Sequence, residues 1–293
     1  MRLTVTDQRF FHSFGYLHLR ALFGPEETAR ITAAFERTLA EFGHARGGAG
    51  TPRTNVLGPI QHLPELQALL DDPRILGVAG SVLGDDFTYA CGDGQLYSGE
   101  TQWHPDGSWG ELFACKLAFY LDPLTRETGA LRVVPGSHHP GHPLRSGGGV
   151  DFAKLAEDYG LTGRDLPGAE ALETTPGDLV LFNHDVFHAS FGGGRRRRMF
   201  TMNVIKRAVT EADHERLRQY IGHHSPSGYT CDIGAHHFRP ILDSASPERR
   251  RHLEQAEAAH AQVFPQHTTP KTHAEQIAAM RQALEPQVAT AST

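Results

Sequence analysis

From Phe87 onward, glycine and proline cut the chain into short apolar runs, and this punctuation limits the possible folds more than any other feature. The runs fall at 87–97, 112–121, 130–134, 178–182 and 199–206, each bounded by turn residues. Several alternate: Lys116, Ala118 and Tyr120 lie against Leu117, Phe119 and Leu121, the two-residue period of a strand with two different faces. Glycine and proline number 31 and 18, which suggests many turns and short strands instead of a helical bundle. Short strands at such spacing predict an antiparallel sandwich or barrel.

Helices are predicted on both sides of this region. Residues 14–22 read as a strand. Pro25, Glu26 and Glu27 then open a helix, with proline at its first position and acids in its first turn. Ile31, Phe35, Leu39 and Phe42 recur at helical spacing, so this helix is expected to lie on a sheet. Residues 43–57 have no period and read as a loop. A second helical stretch covers 63–83, with a break at Asp71-Asp72-Pro73. The polar segment 141–177 reads as loop with one helix at 151–159. The tail reads as helical from 247, with another short helix at 273–284.

Composition removes several classes of function. A net charge of −6 gives no electrostatic basis for a nucleic-acid partner. No run approaches the roughly 18 apolar residues of a spanning helix, and the first twenty residues lack the pattern of a secretory signal. Cys91, Cys115 and Cys231 form no CxxC pair and no disulfide scaffold. The expectation is a cytoplasmic enzyme or binding protein with a small-molecule partner, no nucleic acid and no membrane. Nineteen histidines invite a search for metal ligands.

Trp103-His104-Pro105-Asp106-Gly107 is the first candidate. In an extended strand, residues two apart face the same side, so His104 and Asp106 present an imidazole and a carboxylate to one point. One such triplet carries little weight alone. A second segment adds to it. After the run 178–182 come His184 and His188, then Ala189-Ser190, a glycine loop, Arg195 to Arg198 and the strand from Met199. A histidine after one strand and an arginine opening the next is the layout of non-haem iron oxygenases. There, two histidines and a carboxylate occupy one face of Fe(II) and leave positions open. Arginine suits the far carboxylate of a bidentate 2-oxo acid better than lysine does.

These segments resemble the phytanoyl-CoA dioxygenase-like family of Fe(II)/2-oxoglutarate-dependent oxygenases. The resemblance rests on WHPDG at 103–107, FYLDPLTRETGALRVVPGSHH at 119–139 and PGDLVLFNHDVFHAS with RRRRMFTMN between 176 and 203. FGYLHLRALFGPEETARI near the start matches as well. It implies a mainly β fold with flanking helices: a double-stranded β-helix, the jelly-roll or cupin-like barrel, with N-terminal helices packed on one sheet. It implies one oxygenase domain over 1–293, with a core barrel at about 87–207 and strand-and-helix support at 8–83. A lid insertion at about 141–175 and a helical tail at about 208–293 complete that expectation. The implied cofactors are Fe(II), 2-oxoglutarate as co-substrate and O2.

Carried over residue by residue, His104, Asp106 and His188 match the metal ligands. His188 is preferred to His184 because Ala189-Ser190 follows it. Ser190 and Arg197 match contacts to 2-oxoglutarate, with Arg198 as the alternative arginine and Lys116 as either a further contact or a structural ion pair. Gln95, Gln102, Trp109, Phe113 and His184 are the candidate substrate-pocket residues. Halogenating relatives lack the carboxylate that Asp106 supplies, so hydroxylation or another C–H oxidation is expected. Twenty-four arginines against four lysines suit a GC-rich bacterial genome, and the implied role is natural-product tailoring or catabolism. The alternatives are a metal-dependent jelly-roll enzyme that uses no 2-oxo acid and a catalytically silent binding or sensor barrel. Gly129-Ala130-Leu131 and Pro135 to His138 read as a structural turn and exit. His138, His139, His142, His223, His224, His236 and His237 read as structural or loop residues.

Overall fold

The alternating runs pair into two antiparallel sheets. The computed structural model describes residues 1–46, 53–145, 164–193 and 196–290, together with 151, 154, 157–158 and 160–162. Its strands are β1 (Tyr16–Leu19), β2 (His44–Arg46), β3 (Arg53–Leu57), β4 (Thr88–Cys91), β5 (Asp93–Tyr97) and β6 (Thr101–His104). There follow β7 (Ala114–Tyr120), β8 (Leu131–Val133), β9 (Glu170–Leu172), β10 (Leu179–Asn183), β11 (His188–Ser190) and β12 (Arg197–Ile205). The larger sheet runs β1-β10-β7-β12-β5-β3-β2, with β4 also on β12, and the smaller runs β6-β11-β8-β9. The architecture is the double-stranded β-helix, mainly β with flanking helices. Its two sheets face each other, and no strand pairing joins them among the described residues.

Period-two alternation gives the large sheet its two faces. Leu117, Phe119, Leu179, Leu181, Phe200, Met202 and Val204 point one way and pack with the helices. Ala118, Tyr120, Val180 and Phe182 point the other way, towards Leu131, Val133 and Leu172 of the small sheet. Helix Pro25–Phe42 buries Phe35 on Phe200 with ring centroids 5.2 Å apart, and Phe200 stacks on Phe119 at 4.5 Å. Each such side chain removed from water contributes roughly 1.5–3 kcal/mol. Glu27 begins this helix by accepting the Gly24 amide at 3.1 Å and pairs with Arg74 at 2.7 Å. The stretch 63–83 does break at Asp72, which caps the helix Pro73–Leu83 by accepting the Arg74 amide at 2.8 Å.

Several elements differ from expectation. Residues 53–57, read as loop, form β3 inside the large sheet. Their polar side chains hid the pattern, because Arg53 borders the interior cavity while Val56 packs on the helix side. Helix Val5–Phe14 stands where no element was expected, capped by Thr4 with Asp7 and ended by Gly15 in the left-handed region at φ 82°. Strands β6, β9 and β11 are three or four residues long, too short to show a period. Most of the helix expected at 151–159 lies outside the described residues. The described part of the expected lid lies along the outer face of the small sheet, where Leu166 and Ala169 pack with Trp103 and Ala189, and β9 joins that sheet.

The tail packs on the chain's own large sheet. Helices Glu211–His224 and Pro247–Val263 share a core with Ala90 and Ile205. Histidines of the tail bond the backbone at β4: His252 donates from Nδ1 to the Phe87 carbonyl at 2.7 Å, His237 donates from Nε2 to the Tyr89 carbonyl at 3.2 Å, and His236 donates to the Ala90 carbonyl.

Buried histidines make stability depend on pH. Burial pushes His62 and His236 down to about 3, against about 6.5 in an unfolded chain. Below about pH 6.5 the unfolded chain therefore binds more protons, so the stability these groups permit is complete above that pH and falls as the pH drops towards 3. The urea midpoint of the metal-free protein is expected to fall steadily from about pH 7 to about pH 5. A midpoint that holds or rises over that range contradicts this assignment.

Candidate metal centre

The two short strands β6 and β11 pair so that His104 stands opposite His188, with their rings 4.4 Å apart. Each imidazole makes the same local bond. His104 Nδ1 donates to the Gln102 carbonyl at 2.7 Å, and His188 Nδ1 donates to the Val186 carbonyl at 2.9 Å. A carbonyl only accepts, so Nδ1 carries a proton, and in the neutral ring Nε2 presents the lone pair. Those nitrogens face Asp106, at 3.9 Å from His104 to Oδ1 and 3.5 Å from His188 to Oδ2. Three donor atoms thus lie within 4.8 Å of one another.

Asp106 is held there by backbone. Its amide and that of Gly107 donate to the His184 carbonyl at 2.8 and 3.0 Å. Lys116 Nζ lies 2.7 Å from Asp106 Oδ2. Burial alone would raise the Asp106 carboxyl, but the charge of Lys116 and the neighbouring His188 and His184 outweigh it and hold the group well below the usual carboxylate range. Burial also pushes His188 down to about 4, although Asp106 opposes it. Two imidazole Nε2 atoms and one carboxylate facing a point fit a divalent cation. The same set left without one crowds three acceptors together.

A cavity of about 310 Å³ opens beside these donors and also contains Ser190 and Arg197. Arg197 is only 2% exposed. Its Nη1 donates to the Gly129 carbonyl at 3.1 Å and to Ser190 Oγ at 3.0 Å, and its Nη2 donates to the Gly99 carbonyl at 3.0 Å. The guanidinium lies over the Tyr97 ring, 4.1 Å from its centre. No carboxylate among the described residues pairs with it, and a buried, unneutralised guanidinium fits an anionic ligand. Gly129 makes room for it: at φ 103°, a Cβ there would lie 1.4 Å from Arg197 Nη1.

The other candidates divide. Arg198 points to the opposite face, where its amide and guanidinium bind Asp122 and its guanidinium also meets Glu36, so it does not line the cavity. Arg195 lies outside the described residues. Lys116 reaches the cavity but is paired with Asp106. Gln95 lines the cavity. Gln102 does not: a bulge in the β6–β11 pairing sets Ser190 opposite Thr101 and turns Gln102 outward to solvent. Trp109 and Phe113 also lie elsewhere, packed on each other at 4.6 Å and against Tyr220 of the tail. His184 is fully buried beside Asp106 in an adjoining space of about 150 Å³. Tyr97 and Gly129 were not singled out as site residues. For Gly129, the only sequence signal was its place in a turn that opens a strand.

The model of the family "Phytanoyl-CoA dioxygenase (PhyH)" matches residues 11–199, more than half of the chain and a span that contains His104, Asp106, His188, Ser190 and Arg197. Uncharacterised proteins of Mycobacterium tuberculosis and Mycobacterium bovis are each 24% identical over 217 residues, covering 67% of this chain and 77% of theirs. Among solved structures, the non-heme alpha-ketoglutarate-dependent carbocyclase SnoK from nogalamycin biosynthesis superposes with a TM-score of 0.55 at 21% identity, over 73% of this chain and 91% of SnoK. EctD from S. alaskensis gives 0.56 at 21% identity, over 69% and 77%. AviO1 from Streptomyces viridochromogenes gives 0.56 at 19% identity, over 72% and 98%. At these identities the likeness to the solved structures is one of fold. The family match goes further, and the chain belongs to the phytanoyl-CoA dioxygenase family, among the iron- and 2-oxoglutarate-dependent oxygenases.

Proposed function

We propose that the protein is an Fe(II)- and 2-oxoglutarate-dependent dioxygenase that hydroxylates or otherwise oxidises an unactivated C–H bond of a small molecule. The observation that carries this reading is one cavity containing both the His104–Asp106–His188 cluster and the buried Arg197, which pairs with no carboxylate among the described residues. When bound, Fe(II) and the 2-oxo acid supply dioxygen activation, with 2-oxoglutarate decarboxylated to succinate and CO2.

The chain's own residues have separate tasks. The Nε2 atoms of His104 and His188 and the Asp106 carboxylate hold the metal. Their Nδ1–carbonyl bonds fix the rings in the tautomer that ligation needs. Lys116 keeps Asp106 ionised and occupies Oδ2, leaving Oδ1 towards His104. Arg197, with the Ser190 hydroxyl, takes the far carboxylate of the 2-oxo acid, and Tyr97 supports the guanidinium from beneath. The carboxylate of Asp106 fills the place a halide takes in halogenating relatives, which favours oxidation of the substrate over halogenation.

EctD has been crystallised with Fe and with 2-oxoglutarate, and this supports the same pair here. SnoK comes from nogalamycin biosynthesis, and this supports a natural-product tailoring or catabolic role. Three buried free cysteines are in keeping with action in the cytoplasm. No helix among the described residues is long and apolar enough to cross a membrane. The reading without a 2-oxo acid leaves Arg197 buried with no anion to neutralise.

Mn(II), a redox-silent substitute, is expected to bind the wild type at one site by calorimetry, and His188→Ala is expected to weaken it at least about 100-fold. Unchanged affinity in His188→Ala would remove that histidine from the metal. In Mn(II)-loaded protein, Arg197→Ala and Gly129→Ala are both expected to weaken 2-oxoglutarate by on the order of 10- to 100-fold, the first by deleting the guanidinium and the second by displacing it. Arg198→Ala is expected to lower thermal stability through its ion pairs instead. A loss of 2-oxoglutarate in Arg198→Ala alone would overturn the assignment of Arg197.

A further inference from the structure

The space of about 150 Å³ beside Asp106 has no role in the chemistry above. It shares Asp93, Asp106, Lys116 and Tyr229 with the larger cavity, so a ligand in one abuts the other. A space of this size holds a group of roughly six to eight non-hydrogen atoms; an apolar cavity of like volume holds benzene. This one is polar. His184 is fully buried, and neither ring nitrogen has a hydrogen-bond partner among the described residues. Asn203, 6% exposed on β12, likewise leaves Oδ1 unpartnered. Each such buried atom costs about 1–3 kcal/mol while unmatched. His184 and Asn203 both line this one small space, so it suits a ligand that donates as well as accepts.

The wall opposite comes from the tail. His224 ends the helix Glu211–His224, and Pro226 and Tyr229 follow it along the chamber. These residues lie beyond 199, where the family match stops. The metal and co-substrate cluster falls inside the matched span, whereas this wall lies outside it. Its position is fixed: the Tyr220 ring stacks on His224 at 4.3 Å, and Ser227 Oγ bonds His260 Nε2 at 2.8 Å.

The unmatched atoms narrow the chemistry. A neutral imidazole offers one donor and one acceptor, and Asn203 Oδ1 adds a second acceptor. A carboxylate or phosphate only accepts, so it would leave both acceptors facing it. An ammonium only donates, so it would leave the imidazole N–H unmatched. Hydroxyls donate and accept, and two adjacent ones satisfy all three atoms. A long acyl chain matches none of them.

From this we propose that the chamber between His184, Asn203 and the tail wall at His224–Tyr229 docks a compact, hydroxyl-bearing part of the substrate. The substrate class is then a small polyhydroxylated molecule, not an acyl thioester. This rests on the oxygenase reading for the word substrate, but the chamber's affinity for hydroxyls does not depend on it.

The test is ligand-observed NMR on the full-length protein, metal-free and loaded with Mn(II) and 2-oxoglutarate. The probes are erythritol, 1-butylamine, butyrate and butyryl-CoA. Erythritol is expected to bind both forms, and Asn203→Leu and His184→Phe are each expected to weaken it at least tenfold. His224→Ala, at the partly exposed rim, is expected to weaken it severalfold and stands in if a core variant fails to fold. Mn(II) titration of each variant separates a lost chamber from a lost fold. No erythritol binding, preference for the amine, the acid or the thioester, or erythritol binding unchanged in all three variants overturns the proposal. If Mn(II) or 2-oxoglutarate fails to bind while erythritol binds and responds to the variants, the oxygenase reading fails and the chamber stands.

Discussion

The candidate site depends on the pairing of two strands so short that neither would hold shape alone. β6 and β11 contribute four and three residues, and their register sets His104 against His188. Asp106 is not on a strand. It is brought in by two amides that donate to the His184 carbonyl, which itself lies in the turn between β10 and β11. One loop therefore positions the carboxylate with its backbone and presents the second histidine four residues later. A change that shifts this turn would separate the three donors without touching any of them.

Electrostatics divides the interior into two unequal ends. Around Asp106, the carboxylate is balanced by the Lys116 ammonium. Around Arg197, a full positive charge sits over an aromatic ring and among carbonyls, with no carboxylate paired to it among the described residues. Taking a guanidinium out of water without a counter-charge is costly. The large sheet tolerates it because three hydrogen bonds and the Tyr97 face distribute the charge, and because Gly129 has no side chain where the guanidinium lies. The imbalance is what makes an anion bound there stabilising.

Much of this was readable in the chain, for identifiable reasons. The HxD at 104–106 and the histidine before Ala189-Ser190 flank strands, and strand geometry carries spacing into space directly. The choice of Arg197 over Arg198 is legible in the apolar residues that follow. Phe200, Met202 and Val204 must face the helices, so Arg197 faces inward and Arg198 outward. The pocket wall was less legible. Gln102 sits two residues before His104 and would share its face in a regular strand, but the bulge breaks that parity. Trp109 and Phe113 flank the metal residues in sequence only. After Gly107, Asp185 accepts the amides of Trp109 and Gly110, both at 2.8 Å, and the segment turns away towards the tail. β3 was invisible because its side chains serve the cavity as well as the core. The tail wall pairs residues more than a hundred positions apart with β5 and β7, and no local pattern encodes that contact.

The tail thus has two roles that its sequence does not separate. Its helices bury apolar faces and histidines against β4, and its turn at His224–Tyr229 borders the chemistry. The central claim, that His104, Asp106 and His188 hold iron beside a 2-oxo acid seated on Arg197, is tested most directly without any substrate. Fe(II) and then 2-oxoglutarate are added anaerobically to metal-free protein, and the visible spectrum is recorded. The account predicts the weak charge-transfer band of a chelated Fe(II)–2-oxo acid complex in the wild type, and its absence in His188→Ala. Iron shown to be bound without that band, or a band that survives in His188→Ala, would contradict it.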